Sequence, residues 1–161
     1  MSKLGIREIN FYGKQVGGQI AGGQKLATIR VVADKYKGFQ VGQEVIASCE
    51  DEEIAIIIWG ILELPLNMLH RSLLILDGYI NGVLQAEKDL QGYYSEFTED
   101  KTVIFLGIIA KIIFESLSAE QQTVLLAQKE DLTLEEIVAN PILQQLFLES
   151  EKYWQENQDK L

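Results

Sequence analysis

Apolar residues recur with two different periods along this chain. Residues 6 to 12 alternate loosely and read as a first strand. The segment Lys14 to Ile20 is rich in Gly and Gln and is a poor helix by propensity. Lys25 to Val32 is the clearest strand. Thr28, Ile29 and Val31 are β-branched, Thr28 and Arg30 project from one face while Ala27, Ile29 and Val31 project from the other, and Ala33-Asp34 closes it. Tyr36 to Gly42 turns the chain. Val45 to Cys49 and Ile54 to Leu62 then bracket Glu50-Asp51-Glu52-Glu53, four acids that suit a solvated hairpin turn. The second of these strands is almost wholly apolar, which predicts burial on both faces, one of them beneath the C-terminal part of the chain.

From Pro65 the period lengthens. Leu66, Leu69, Leu73 and Leu76 recur every three to four residues, predicting a helix that stops at Asp77-Gly78. A second helix is predicted over about Ile80 to Tyr94, with Val83, Leu84, Glu87 and Leu90 on nearby faces, followed by a strand over Thr102 to Phe114 with a break near Gly107. Beyond Phe114, Ser118-Ala119-Glu120-Gln121 and Thr133-Leu134-Glu135-Glu136 both have the spacing of a capping box. Pro141 fits the first turn of a further helix carrying Leu143, Leu146, Phe147 and Trp154.

The length of 161 residues suits one compact domain plus an appendage, divided here as 1–114 and 115–161. Charge is unevenly placed. Residues 1 to 48 hold seven Lys or Arg against three Asp or Glu, so with a net charge of −10 the remaining 113 residues carry −14. An acidic field of this size opposes non-specific adhesion to nucleic acid and argues against DNA as a partner. Any nucleic-acid contact is expected in the basic N-terminal third. A single cysteine, Cys49, excludes an intrachain disulfide and a cysteine-based zinc cluster, and neither a metal nor a cofactor is expected. The four acids after Cys49 are expected to raise its thiol pKa. The N-terminus lacks the apolar core of a signal peptide, and the longest apolar runs fall short of the roughly 20 residues that span a bilayer. A cytoplasmic protein without a membrane partner is the expectation.

Several pieces of the chain occur together in a recognisable order: Ile9-Asn10-Phe11-Tyr12, then Gly23-x-Lys25-x-x-Thr28-x-Arg30, then Phe39-x-Val41-Gly42. Leu64-Pro65-Leu66, Leu69, Asp77-Gly78-Tyr79, Leu84 and Tyr93-Tyr94 follow before the last strand. In this ordered set, over roughly residues 6 to 110, the chain resembles the ASCH domain family, a branch of the PUA-like β-barrels. The resemblance implies an α+β fold, a small mixed PUA-like β-barrel with flanking helices, one of them short and near Lys14 to Ile20. The C-terminal helical appendage lies outside it. Some small ASCH proteins are similar to amidohydrolases that remove the acetyl group of N(4)-acetylcytidine with a lysine, a threonine and a glutamate. By position Lys25 matches the lysine and Thr28 the threonine, while Asp77 stands at the glutamate position, one methylene shorter. Leu26 stands where the family often has Thr, and Gln43 where an acid commonly follows the turn glycine.

The residues support this chemistry on their own terms. A lysine desolvated beside Arg30 loses proton affinity and can accept the Thr28 proton, and a carboxyl group can return one to the leaving amine. The bland reading makes Lys25 and Arg30 strand-edge charges, Thr28 an ordinary β-former and Asp77 an acceptor near a helix end. As ligand contacts, Arg30, Lys14 and Tyr36 are the candidates. Arg30 can read a phosphate or base edge bidentately or form a salt bridge to Asp34 or Glu44, and Lys14, Lys35 and Lys37 extend a phosphate-tracking surface. Phe11, Tyr12, Tyr36 and Phe39 are either base-stacking groups or core. His70 lacks a sequence-near acid or cysteine and reads as a surface or satisfied histidine. Two function classes therefore stand. One is a module that binds RNA or a modified nucleoside, extended to hydrolysis of an N-acyl group on cytidine-type nucleosides. The other is a non-enzymatic interaction or structural protein whose C-terminal helices mediate homodimerisation or partner docking.

Overall fold

The computed structural model describes residues 8–11, 16–31, 38–50, 52–69, 71–77, 83–94, 96–126 and 139–156. Five strands form one mixed sheet: β1 (Glu8–Asn10), β2 (Ala27–Val31), β3 (Glu44–Ser48), β4 (Glu53–Pro65) and β5 (Thr102–Ala110), in the order β1-β3-β4-β5-β2. β1 runs parallel to β3, and the other pairings are antiparallel. Six α-helices lie among the described residues: α1 (Val16–Ala21), α2 (Arg71–Leu76), α3 (Val83–Tyr93), α4 (Lys111–Ser116), α5 (Ala119–Leu125) and α6 (Pro141–Glu156). The class is α+β, as expected.

The apolar β4 is the centre of the sheet and is buried on both faces. Ile56 and Ile58 join Ile9, Phe11, Val45, Ala47, Ile104, Leu106 and Ile108 in one core, to which α1 adds Ile20. Ile57 and Trp59 join a larger core on the opposite face, made with Ala27, Ile29, Phe105, Leu73, Leu76 and Leu90. The C-terminal helices belong to this second core. Leu125 and Leu143 are buried in it, with Phe114, Leu117, Leu146 and Phe147 packed against it.

A simple period of two fails along β4 because the ladder with β5 slips between Ile58 and Gly60. Before the slip Ile57 and Trp59 face the larger core; after it Leu62 and Leu64 do. One extra residue on β4 thus changes the parity of the strand. The indole of Trp59 folds over Gly107, where an added Cβ would stand 2.3 Å from the ring. Its Nε1 donates to the carbonyls of Leu26 and Ile108, both at 3.0 Å. The expected break near Gly107 therefore lies on the partner strand: β5 runs continuously through Gly107, whose missing side chain makes room for Trp59. The expected strand to Phe114 ends at Ala110, and Lys111–Ser116 is helical.

The sheet is not closed into a barrel, so that part of the expected architecture is corrected. Among the described residues β2 pairs with a strand, β5, on one side only. On its other side Leu26 N–H donates to the Leu76 carbonyl at 2.9 Å and Ile29 N–H donates to Asp77 Oδ2 at 3.1 Å. The end of α2 occupies the edge that a fifth, closing ladder would need. β1 reaches β2 through a side chain, with Arg30 Nη2 donating to the Asn10 carbonyl at 2.9 Å.

The predicted helix from Pro65 to Asp77 is two pieces, a 3-10 turn at Leu66–Met68 and α2, separated by an extended Leu69. The Ser118 capping box is present: its side chain accepts from Gln121 N–H at 3.0 Å, and the Gln121 side chain accepts from Ser118 N–H at 2.9 Å. The second capping-box motif, Thr133 to Glu136, lies outside the described residues. α6 starts at Pro141, behind Asn140, whose Oδ1 accepts from Ile142 N–H at 3.0 Å while its Nδ2 donates to the Val124 carbonyl at 2.8 Å. Among the described residues no helix is long and apolar enough to cross a membrane.

Candidate polar site at the edge of the sheet

The site is assembled where the chain enters β2. α1 ends at Ala21, and Gly23 takes a positive φ of 82°, a conformation that costs glycine little. The turn sets Lys25 against the end of α2. Lys25 Nζ forms a short hydrogen-bonded ion pair with Asp77 Oδ1 and also donates to the Asp77 backbone carbonyl at 3.3 Å. Both side chains are nearly out of water, with 11% of the Lys25 side chain and 5% of the Asp77 side chain exposed. The second carboxylate oxygen accepts the Ile29 amide. Asp77 therefore ties together the start of β2, its middle and the end of α2.

Desolvation pushes the Asp77 carboxyl above the ordinary carboxylate range, opposed by the charge and hydrogen bond of Lys25, the charge of Arg30 and the Ile29 N–H. Burial disfavours the ionised carboxylate, and the hydrogen bonds from Lys25 Nζ and Ile29 N–H offset part of that cost.

Thr28 and Arg30 form a second unit. Thr28 is buried, and its hydroxyl accepts from Arg30 Nε at 2.8 Å. The Arg30 guanidinium lies 4.9 Å from the centre of the Phe11 ring and donates to Asn10. Among the described residues no hydrogen bond joins the Thr28 hydroxyl to Lys25 or Asp77. Of the sequence-derived residues, the structure thus brings Lys25 together with Asp77, and Thr28 together with Arg30. Glu44, weighed as a partner of Arg30, pairs with Lys111 at 2.8 Å. Lys14, Tyr36, Tyr12, Lys35, Lys37, His70 and Asp34 lie outside the described residues. Phe11 and Phe39 are core residues, 4% and 7% exposed. Burial raises the Cys49 thiol pKa, with Glu52 adding to the effect. No group of His, Cys, Asp and Glu among the described residues could hold a metal ion.

The sequence reading missed the backbone groups of the site, the Ile29 amide and the carbonyls of Asn10 and Asp77. A strand predicted to alternate must present every second N–H outward if it lies at an edge, but the sequence did not place β2 there.

Fold and site together define an α+β protein with an open mixed sheet and a buried lysine-aspartate pair on its edge strand. No family model matches the chain, and no curated protein matches it. Among solved structures, the protein EF3133 from Enterococcus faecalis V583, described under the family model DUF984, is similar at 16% identity with a TM-score of 0.49, over 68% of this chain and 82% of that one.

Proposed function

We propose that the protein is a cytoplasmic PUA-like module that binds a modified nucleoside or a short single-stranded RNA segment at the β2–α2 edge. In this reading Lys25, Thr28 and Arg30 are its polar contacts and N-acyl hydrolysis its activity. The observation that supports it is the meeting of Lys25 and Asp77, 52 residues apart in sequence, in a desolvated pair beside a hydroxyl-bearing edge strand. Proton transfer within the pair leaves a neutral amine and a carboxylic acid, the two forms the reaction requires. The neutral Lys25 takes the Thr28 proton as Thr28 Oγ1 attacks the acyl carbon. The C–N bond breaks, the leaving amine takes the Asp77 proton, and water then cleaves the acyl-threonine ester. Thr28 has to turn from Arg30 to reach Lys25, so substrate binding must supply a competing partner for the guanidinium.

Incubation with N(4)-acetylcytidine, with cytidine and acetate measured as products, tests the activity. Equilibrium dialysis against acetylcytidine and against an oligoribonucleotide tests binding separately. The expected outcome is turnover by the unmodified protein that is lost in Thr28→Val, with the far-ultraviolet spectrum retained. Binding without turnover leaves a binding module, and absence of both ends the proposal.

A second reading, a non-enzymatic interaction protein, is favoured by two exposed apolar side chains on the later helices, Ile112 at 75% and Leu148 at 64%. It predicts a dimer by light scattering that Leu148→Glu dissociates.

A further inference from the structure

At the other end of β2, about 20 Å from Lys25 for six residues of extended chain, a hollow of about 440 Å³ opens between β2, the start of β5 and the turn that follows α3. Among the described residues it is lined by Val31, Tyr94, Glu96, Phe97, Lys101 and Thr102. The volume falls in the range of small-molecule sites, roughly 300 to 1,000 Å³.

The turn that shapes the hollow is held from several sides. Phe97 N–H donates to the Tyr94 carbonyl at 3.0 Å and Lys101 N–H to the Thr98 carbonyl at 3.0 Å. Gln91 Nε2 donates to the Phe97 carbonyl at 2.9 Å, and the Glu87 carboxylate accepts Glu99 N–H at 2.7 Å. Leu66 and Asn67 N–H donate to the Lys101 and Glu99 carbonyls at 3.2 and 2.9 Å. A turn tied this often supplies a wall that ligand binding need not first order.

Chemically the wall is divided. Phe97 is buried and Val31 half-buried, giving an apolar floor. Tyr94, an aromatic residue of the lining, is 43% exposed. Lys101 and Glu96 put opposite charges on the rim, both exposed. An exposed aromatic residue beside apolar Phe97 and Val31 in the same lining favours a flat aromatic guest. Lys101 attracts an anion, although Asp100 shares its field. Glu96 and the net charge of −10 disfavour a polyanion such as a nucleoside polyphosphate. A carboxylate on the rim is also an acceptor that an amino group satisfies.

We propose that this hollow binds a small planar aromatic molecule carrying one anionic group and one amino group, with its ring on Tyr94, its anion at Lys101 and its amino group at Glu96. The site is independent of the Lys25–Asp77 reading and survives that reading's failure.

The test uses the full chain labelled with nitrogen-15 and titrated with para-aminobenzoate as the probe. Saturable amide shifts at Phe97, Lys101 and Thr102 with a Kd of about 1 mM or tighter are expected. Tyr94→Ala and Lys101→Gln should each weaken binding about tenfold. Lys101→Arg should retain it, and Glu96→Gln should bind benzoate better than the unmodified protein does. All substituted side chains are exposed, and an otherwise unchanged amide spectrum verifies the fold of each variant. Absence of saturable shifts, equal affinity in Tyr94→Ala and Lys101→Gln, or equal affinity for cyclohexanecarboxylate would each overturn the proposal.

Discussion

Asp77 holds Lys25 through its carboxylate and its own backbone carbonyl, so one residue at the end of α2 fixes the entry of β2. Removing the lysine leaves a buried carboxylate with the Ile29 amide and the charge of Arg30. Breaking a buried pair from one side costs about 3 to 5 kcal/mol, less whatever protonation of Asp77 recovers. Lys25→Met is therefore expected to lower stability by about 3 kcal/mol, and Lys25→Met with Asp77→Asn to regain part of it. Urea unfolding of the two single variants and the double variant measures both. A Lys25→Met midpoint equal to that of the unmodified protein would show that the pair contributes nothing to the fold.

The raised Asp77 pKa has a definite pH signature. The folded-state value lies above the ordinary 3.8, so the folded state favours the protonated carboxyl. Asp77's favourable contribution is fully present below 3.8 and is lost as pH rises through the folded value. Asp77→Asn cannot ionise. The stability of the unmodified protein minus that of Asp77→Asn is thus expected to fall with rising pH, starting near pH 3.8 and levelling above the folded pKa. Urea midpoints of the two proteins across that range supply the difference, in which the other acids cancel. A difference that rises with pH would mean that Lys25 outweighs desolvation.

The Trp59 indole fills the space above Gly107 and is anchored by two hydrogen bonds. Gly107→Ala places a methyl inside the ring contact and is expected to cost about 2 to 4 kcal/mol as the ring or the ladder shifts. Trp59→Phe, which frees space but takes the indole donor from the Ile108 carbonyl while the Leu26 carbonyl keeps the Ile108 N–H, is expected to cost less in the Gly107→Ala background than alone. Thermal unfolding of the four proteins in this cycle checks the coupling, and strict additivity would separate the two residues.

Arg30 crosses the seam between β1 and β2. Its planar fork donates to Thr28 and Asn10 and stacks near Phe11, which a lysine cannot reproduce. Arg30→Lys is expected to speed amide exchange at the short β1 while changing global stability by about 1 kcal/mol or less. Hydrogen exchange read residue by residue distinguishes this local opening from general destabilisation.

The C-terminal helices bury Leu125 and Leu143 in the larger core, and Asn140 caps α6 while holding the end of α5. Asn140→Ala is expected to cost about 1 to 2 kcal/mol by removing both functions at once. Calorimetry against Ser118→Ala, where the lost box is exposed and the expected cost about 1 kcal/mol, gives the comparison.

Local chemistry set much of this molecule in advance. The β-branched residues of β2, the acids Glu50 and Glu52 between β3 and β4, the box at Ser118 and the proline of α6 each decide their structure among near neighbours. The apolar length of β4 announced two buried faces for the same reason. Lys25 and Asp77 stood out through family resemblance, since nothing local relates residues so far apart. Tertiary packing alone decided that the ladder stays open, because whether β2 meets another strand or the end of α2 is a competition between distant segments for the same outward N–H groups. It also decided the grouping of the polar side chains: alternation put Thr28 and Arg30 together, but the burial that binds Lys25 to Asp77 arises only once α2 has docked.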